Sequence, residues 1–177
     1  MNGGRVARRY ARAAFDLAVS AGQEEAWLRD LRVMESILTQ PELAALLENP
    51  AVTFDEKREV VGRALEGLEP MRRNFAFVLI EHRRAAEIPE IVEEFQQELN
   101  AYQGIAIAEV TTAVPLDEAE SRAVAGRLER LVGKRIILEK RVDPSILGGV
   151  IARIGDRLID GSIAGQLESL RRELTPG

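Results

Sequence analysis

At Gly104 the spacing of the apolar residues changes, and this change bounds what the chain can fold into. Ahead of it, apolar side chains recur at helical intervals, as in Trp27, Leu31, Met34 and Leu38. Beyond it, Ile105 to Val114 places Ala106, Ala108, Val110, Thr112 and Val114 on one face, which is the period of a strand. A length of 177 residues allows one large domain or two small ones. The period change predicts two: a helical bundle over 1–104 and a small α/β module over 105–177, mainly α in total, with Gly104 as the hinge.

The first hundred residues are cut into short helical stretches by proline, glycine and capping signals. Helix 1, from about Arg5 to Ala21, carries Val6, Tyr10, Ala13 and Leu17 on one stripe. Its Arg5, Arg8, Arg9, Arg12 and Asp16 form a narrow polar arc. So narrow an arc predicts a helix covered on most sides, with Ala7, Ala11, Ala14 and Ala18 letting neighbouring backbones approach. Gly22 is a natural stop. Helix 2 runs from about Glu24 to Thr39, and Pro41 opens a short third helix that Asn49-Pro50 ends. Thr53 and Glu56 form a capping box ahead of a fourth helix to about Leu65. Pro70 fits the first turn of a fifth, to about Arg84, whose run Phe75 to Ile80 is apolar all round and so is expected at the centre of a bundle. A sixth, opened at Pro89, presents Ile88, Val92, Phe95, Leu99 and Tyr102 as a stripe. Six helices joined by short loops predict a bundle.

The back of the chain reads β-α-β-β-β-α. Asp117 and Glu120 box the start of a helix that ends at Gly133, with Val124, Leu128 and Leu131 inward. Lys134 to Val142 alternates, with Ile136, Leu138 and Val142 on one side and Glu139 and Arg141 on the other. Gly149 to Ile154 and Arg157 to Ile159 form a hairpin around Gly155-Asp156. Ser162 caps a last helix carrying Ile163, Leu167, Leu170 and Leu174.

Reactive chemistry is poorly provisioned. The chain has no cysteine and one histidine, His82, which removes thiolate sites and leaves a metal only carboxylates. His82 followed by Arg83 and Arg84 complements a helix C-terminal dipole more simply than it serves as a base. Glycines 148, 149, 155, 161 and 165 match no phosphate-loop spacing, and turns account for them. Asp156 and Asp160 suit a hairpin tip and a helix start, and the third ligand of a metal site is missing beside them. Ser145 and Ser162 have turn and cap roles. Tyr10 and Trp27 are expected in the core.

Residues 1–104 hold 13 basic and 18 acidic groups, and 105–177 hold 11 of each, so neither part offers a sustained positive field for nucleic acid. The arginine arc of helix 1 is expected to be an ordinary solvated face, with an anionic lipid or acidic partner as the alternative. The longest apolar run is six residues, Phe75 to Ile80, against the about 20 that a membrane span needs. The N-terminus lacks a secretory apolar stretch and reads as mature protein of a reducing cytoplasm. By subtraction, surfaces carry the function.

The stretch from Val142 through Gly148-Gly149, Gly155-Asp156, Asp160 and Ser162 to Leu167 and Leu170 closely resembles the C-terminal signature of the ATP synthase delta subunit family, which includes the mitochondrial oligomycin-sensitivity-conferring protein. The opening Ala7, Arg9, Tyr10, Ala11, Ala14, Phe15 and Ala18 is similar to that family's N-terminal pattern. Asn49-Pro50 ahead of Lys57, the Ile91/Phe95 stripe and Ala113-Val-Pro-Leu116 also fall where the family has them. The resemblance implies a non-catalytic stator component of an F-type ATP synthase, without cofactor, metal or nucleic acid. It implies that the six-helix bundle binds the alpha-subunit N-termini in a groove of helices 1 and 5, through Tyr10, Ala11, Ala14, Phe15, Phe75 and Leu79. The C-terminal module would then hold the C-terminal end of the b subunit. The implied setting is the cytoplasmic face of a bacterial membrane, reached through the complex, with one copy per complex and a monomer when isolated. A small regulatory or nucleic-acid-binding helical protein, and an enzyme using Asp156 and Asp160, are the rival readings.

Overall fold

The computed structural model describes residues 3–146 and 148–161. Seven α-helices and four strands make the described chain mainly helical with a small mixed sheet: α1 (Gly3–Ala21), α2 (Glu24–Leu38), α3 (Pro41–Glu48), α4 (Phe54–Ala64), α5 (Pro70–Glu81), α6 (Ile88–Tyr102), β1 (Ile105–Thr112), α7 (Glu118–Val132), β2 (Arg135–Val142), β3 (Val150–Ile154) and β4 (Arg157–Asp160). A single 3-10 turn, Ala85–Glu87, precedes α6. The chain divides into two units, the first ending at Leu99 and the second beginning at Asn100. That division lies within the last turn of α6, just ahead of Gly104, which takes φ +68°.

Local chemistry sets the element ends. Both predicted capping boxes form: Thr53 Oγ1 accepts from the Glu56 amide while a Glu56 carboxylate oxygen accepts from the Thr53 amide, and Asp117 with Glu120 does the same for α7. Hydrogen bonds from the Thr53 amide and hydroxyl hold the Glu56 carboxyl below its ordinary range. Pro41 and Pro70 occupy first-turn positions. α5 has a cap that the sequence pattern did not reveal, Glu69, whose carboxylate accepts from the amides of Met71 and Arg72. Gly22 and Gly133 end α1 and α7 in the left-handed region. At the end of α5, Arg83 adopts that same conformation at φ +55°, and the Arg84 amide donates 2.7 Å to the Leu79 carbonyl.

The helical unit closes around α2 and α6. Trp27, Leu31, Met34 and Leu38 of α2, with Leu28, share one buried cluster with Ile88, Ile91, Phe95 and Leu99 of α6, each contributing about 1.5–3 kcal/mol by burial. Two expectations fail here. α1 is not covered on most sides: Ala7, Ala11, Ala14, Phe15 and Ala18 are buried, yet Ala13 and Leu17 face outward. α5 is not buried all round either. Ala76, Leu79 and Ile80 point inward, whereas Met71 and Val78 are exposed and Phe77 is half-buried beneath the Arg58 guanidinium, 5.2 Å from the ring centre. α5 has neighbours in α2, α4 and, through Phe75, α1, and these leave the side carrying Met71 and Val78 open. Tyr102 likewise ends its stripe exposed.

The second unit is a four-stranded sheet ordered β2-β1-β3-β4, with β1 parallel to β2 and antiparallel to β3, and β3 antiparallel to β4. α7 connects β1 to β2, the crossover a parallel pair requires. Ala108, Val110, Thr112, Ile136 and Ala152 form the buried face, against Leu128. Val114 and Val142, predicted to continue that face, are exposed. Leu131 is also exposed, and Val132 packs inward in its place with Val124 and Ala125. The predicted last helix and its cap Ser162 lie outside the described residues.

Left-handed backbone carries opposite consequences at Gly133 and Arg83. Gly133→Ala, which meets open space and only backbone strain, should destabilise by about 1 kcal/mol in urea titration. Arg83→Gly should be neutral to mildly stabilising, by at most about 1 kcal/mol, since relief of strain outweighs the added freedom of the unfolded chain.

Candidate functional site: the outward face of α1 and α5

The roll of α1 is fixed from two sides. Its alanines and Phe15 enter the core, and Phe15 meets Phe95 edge to face at 5.4 Å. On the flank, Arg8 forks onto Glu94 with contacts of 3.0 and 3.1 Å, and Arg12 reaches Glu98 at 2.7 Å. Both pairs span the same sequence offset of 86, so α1 and α6 run parallel and in register. Arg12 also contacts Asp16 at 3.2 Å. The Arg8 guanidinium is held still more firmly protonated, first by its hydrogen bonds to Glu94 and then by that carboxylate's charge. All four arginines of the arc are exposed, so it is a solvated face as expected, on which Arg8 and Arg12 also engage α6. Arg32, on α2, donates to Gln96 at 2.8 Å.

α5 meets α1 through aromatics. Phe75 lies edge to face with Tyr10 at 6.5 Å and with Trp27 at 5.9 Å, so one ring joins α1, α5 and α2. Of the six residues assigned to a groove, Ala11, Ala14 and Leu79 have 0% exposure and form the interior. Phe15 and Phe75 are buried too, and Tyr10 alone keeps substantial surface. The outward apolar groups are their neighbours: Leu17 at 43% exposure, Met71 at 49% and Val78 at 40%, with the small exposed Ala13. Tyr10 and Leu17 are seven apart on α1, and Met71 and Val78 seven apart on α5, so each pair shares a face of its helix. Tyr10 belongs to the first pair, and Phe75, four residues after Met71 and three before Val78, lies beside the second, so the Tyr10–Phe75 contact links the two helices there. Sequence periodicity missed Met71 and Val78 because a helix apolar on every side does not declare which side stays open.

The signature residues of the second unit do not form one site. Gly148 and Gly149, with φ +114° and +89°, lie in the loop entering β3, while Gly155, with φ +56°, turns the hairpin at the other end. The Ile154↔Arg157 pairing leaves Gly155 and Asp156 as a two-residue turn. Asp156 and Asp160 are separated along β4 by about 13 Å of extended chain, too far to share a metal or a proton. At Gly161 a Cβ would come within 3.1 Å of the Val150 carbonyl oxygen, which also accepts from the Gly161 amide. Close backbone approach accounts for that glycine. Ser162 and Leu167 lie outside the described residues.

Among the described residues, no cluster of three or more metal-capable side chains occurs, and no helix is long and apolar enough to cross a membrane. A cleft of roughly 380 Å³ between α3, α4 and the end of α5 is lined by Leu38, Leu47, Val52, Phe54, Lys57 and Arg83. Its lysine is already engaged, Lys57 Nζ donating 2.7 Å to the Leu47 carbonyl. Glu48 and Glu81 also line it, so the cleft is mixed in character rather than apolar.

The family model for the ATP synthase delta (OSCP) subunit matches residues 6–174. The ATP synthase subunit delta of Anaeromyxobacter dehalogenans (strain 2CP-1 / ATCC BAA-258) is 38% identical, over 97% of this chain and 97% of the relative. That of Halalkalibacterium halodurans is 39% identical, over 97% and 96%. In fold, the chain is similar to a chain of the Toxoplasma gondii mitochondrial ATP synthase hexamer. The TM-score is 0.62 at 21% identity, covering 97% of this chain and 98% of that one.

In the loop after β2, the Asp143 carboxylate accepts from the Ser145 hydroxyl at 2.6 Å and from its amide at 2.9 Å, and these bonds hold its carboxyl below the ordinary 3.8. A depressed carboxyl contributes stability above its unfolded pKa and loses it as pH falls through the folded one. Ser145→Ala should therefore raise the Asp143 pKa toward 3.8 in an NMR titration and shrink the loss of stability as pH falls below that value.

Proposed function

The chain belongs to the ATP synthase delta (OSCP) subunit family, and from that premise we propose how it works as a non-catalytic stator component of an F-type ATP synthase. The observation that carries the reading is the end-to-end match, at 38% identity over 97% of both chains, to proteins named ATP synthase subunit delta. In this reading the six helices of the first unit act as one bundle seated on the catalytic head, where they take the N-terminal segments of the alpha subunits. The sheet unit takes the C-terminal end of the b subunit. The protein thereby joins the peripheral stalk to the head and holds the head still while the rotor turns, coupling proton translocation to ATP synthesis. It sits at the cytoplasmic face of a bacterial membrane, held there by the complex, one copy in each and monomeric when isolated.

Physical chemistry supports a partner helix on α1 and α5. An amphipathic helix is captured through apolar anchors at i, i+3 or i+4 and i+7, and Tyr10/Leu17 and Met71/Val78 offer that spacing on two adjacent helices. Ala13 between them permits close approach. A stator joint stays closed through many rotor cycles, which requires slow dissociation, and nanomolar affinity corresponds to about −12 kcal/mol. Two modules with different partners on one chain add effective concentration to both contacts.

Calorimetry of the intact chain with the N-terminal peptide of the cognate alpha subunit should show 1:1 binding and helix formation by the peptide. Leu17→Asp and Val78→Asp should each weaken it at least tenfold, while changing unfolding free energy by no more than about 0.5 kcal/mol. No heat at micromolar peptide, together with failure to co-purify with alpha and b subunits from membranes, would overturn the reading.

A further inference from the structure

We infer that Arg72 is a positioning residue for partner capture: its buried guanidinium fixes the register of α5 against α2, and with it the spacing of the two outward apolar strips. The inference rests on the reading of α1 and α5 as the docking face. Among the described residues Arg72 is the one charged residue that is buried, at 8% exposure. Its Nε lies 2.9 Å from Asp30 of α2 and 3.7 Å from Glu69. Its Nη2 donates to Gln23, the residue ahead of α2, at 3.4 Å. Glu69 is at the same time the cap of α5. One guanidinium thus ties the start of α2, its second turn and the head of α5 together.

A buried ion pair is a poor device for stability, since apolar residues of similar volume serve as well or better. What it supplies is direction. The planar group reaches Asp30 through Nε as an ion pair and Gln23 through an Nη2 hydrogen bond in one alignment, with the Nε hydrogen left without a hydrogen-bond partner, whereas apolar packing tolerates several alignments. Sliding α5 by one residue would move it about 1.5 Å along its axis and turn it by about 100°. Such a slip separates Arg72 from Asp30 and rotates Met71 and Val78 out of line with Tyr10 and Leu17. Phe75 follows Arg72 by three residues on the same side of α5, and it is the ring on which Tyr10 and Trp27 meet. An error of register at Arg72 is therefore passed directly to the aromatic contact between the strips.

The test uses the intact chain carrying Arg72→Met, Arg72→Lys or Asp30→Asn. Each is measured by circular dichroism, thermal unfolding, Trp27 emission and calorimetry with the cognate alpha N-terminal peptide, well below the melting temperature. The expected result is a folded protein with altered Trp27 emission and roughly tenfold weaker peptide binding, for Arg72→Lys as well as Arg72→Met, because lysine keeps the charge but cannot reach Asp30 and Gln23 from one planar group. Should Arg72→Met fail to fold, the other two variants decide. Folded variants that bind the peptide as tightly as wild type overturn the role of Arg72 alone, whereas a wild type that does not bind the peptide overturns the docking face and this inference with it.

Discussion

The close approach of α1 to the core, through side chains no larger than a methyl group, is the constraint on which the helical unit depends. Ala7, Ala11, Ala14 and Ala18 have 0% exposure, so the backbone of α1 lies nearer its neighbours than leucines would allow. That approach brings Arg8 and Arg12 within reach of Glu94 and Glu98, and it turns Tyr10 toward Phe75. Once α1 is held in this roll, Ala13 and Leu17 have nowhere to go but outward. The exposed strip is a consequence of how the core closes.

On α5 the same logic runs through charge and aromatics. Glu69 caps the helix and contacts Arg72, Arg72 reaches α2, and Phe75 gathers Tyr10 and Trp27. Residues of the interior therefore position a surface to which they contribute almost nothing directly. In the proposed role, a joint between a stalk and a catalytic head calls for such internal positioning, since a soft joint would dissipate the torque it resists.

Much of this was legible in the amino-acid sequence. The capping boxes at Thr53 and Asp117, the glycine stops at Gly22 and Gly133 and the Gly155-Asp156 turn are short-range chemistry, complete within a few residues, and all take the form their residues dictate. The α2 stripe is likewise decided by spacing alone. The groove residues were legible only as a region. Ala11, Ala14 and Leu79 sit on the elements expected but face the core, and Met71 and Val78, one helical face away, meet solvent.

What the sequence determined by itself was the order of the elements, their ends, the change of period near Gly104 and membership of a family of non-catalytic ATP synthase subunits. Only the tertiary structure decided which apolar faces of α1 and α5 are inside, that the arginines of α1 are engaged by α6, and that Arg72 is buried among partners on α2 and at the head of α5. The physical reason is one of range. Caps and turns close over three or four residues, whereas the choice of buried face depends on how many neighbours a helix acquires from sequence scores of residues away.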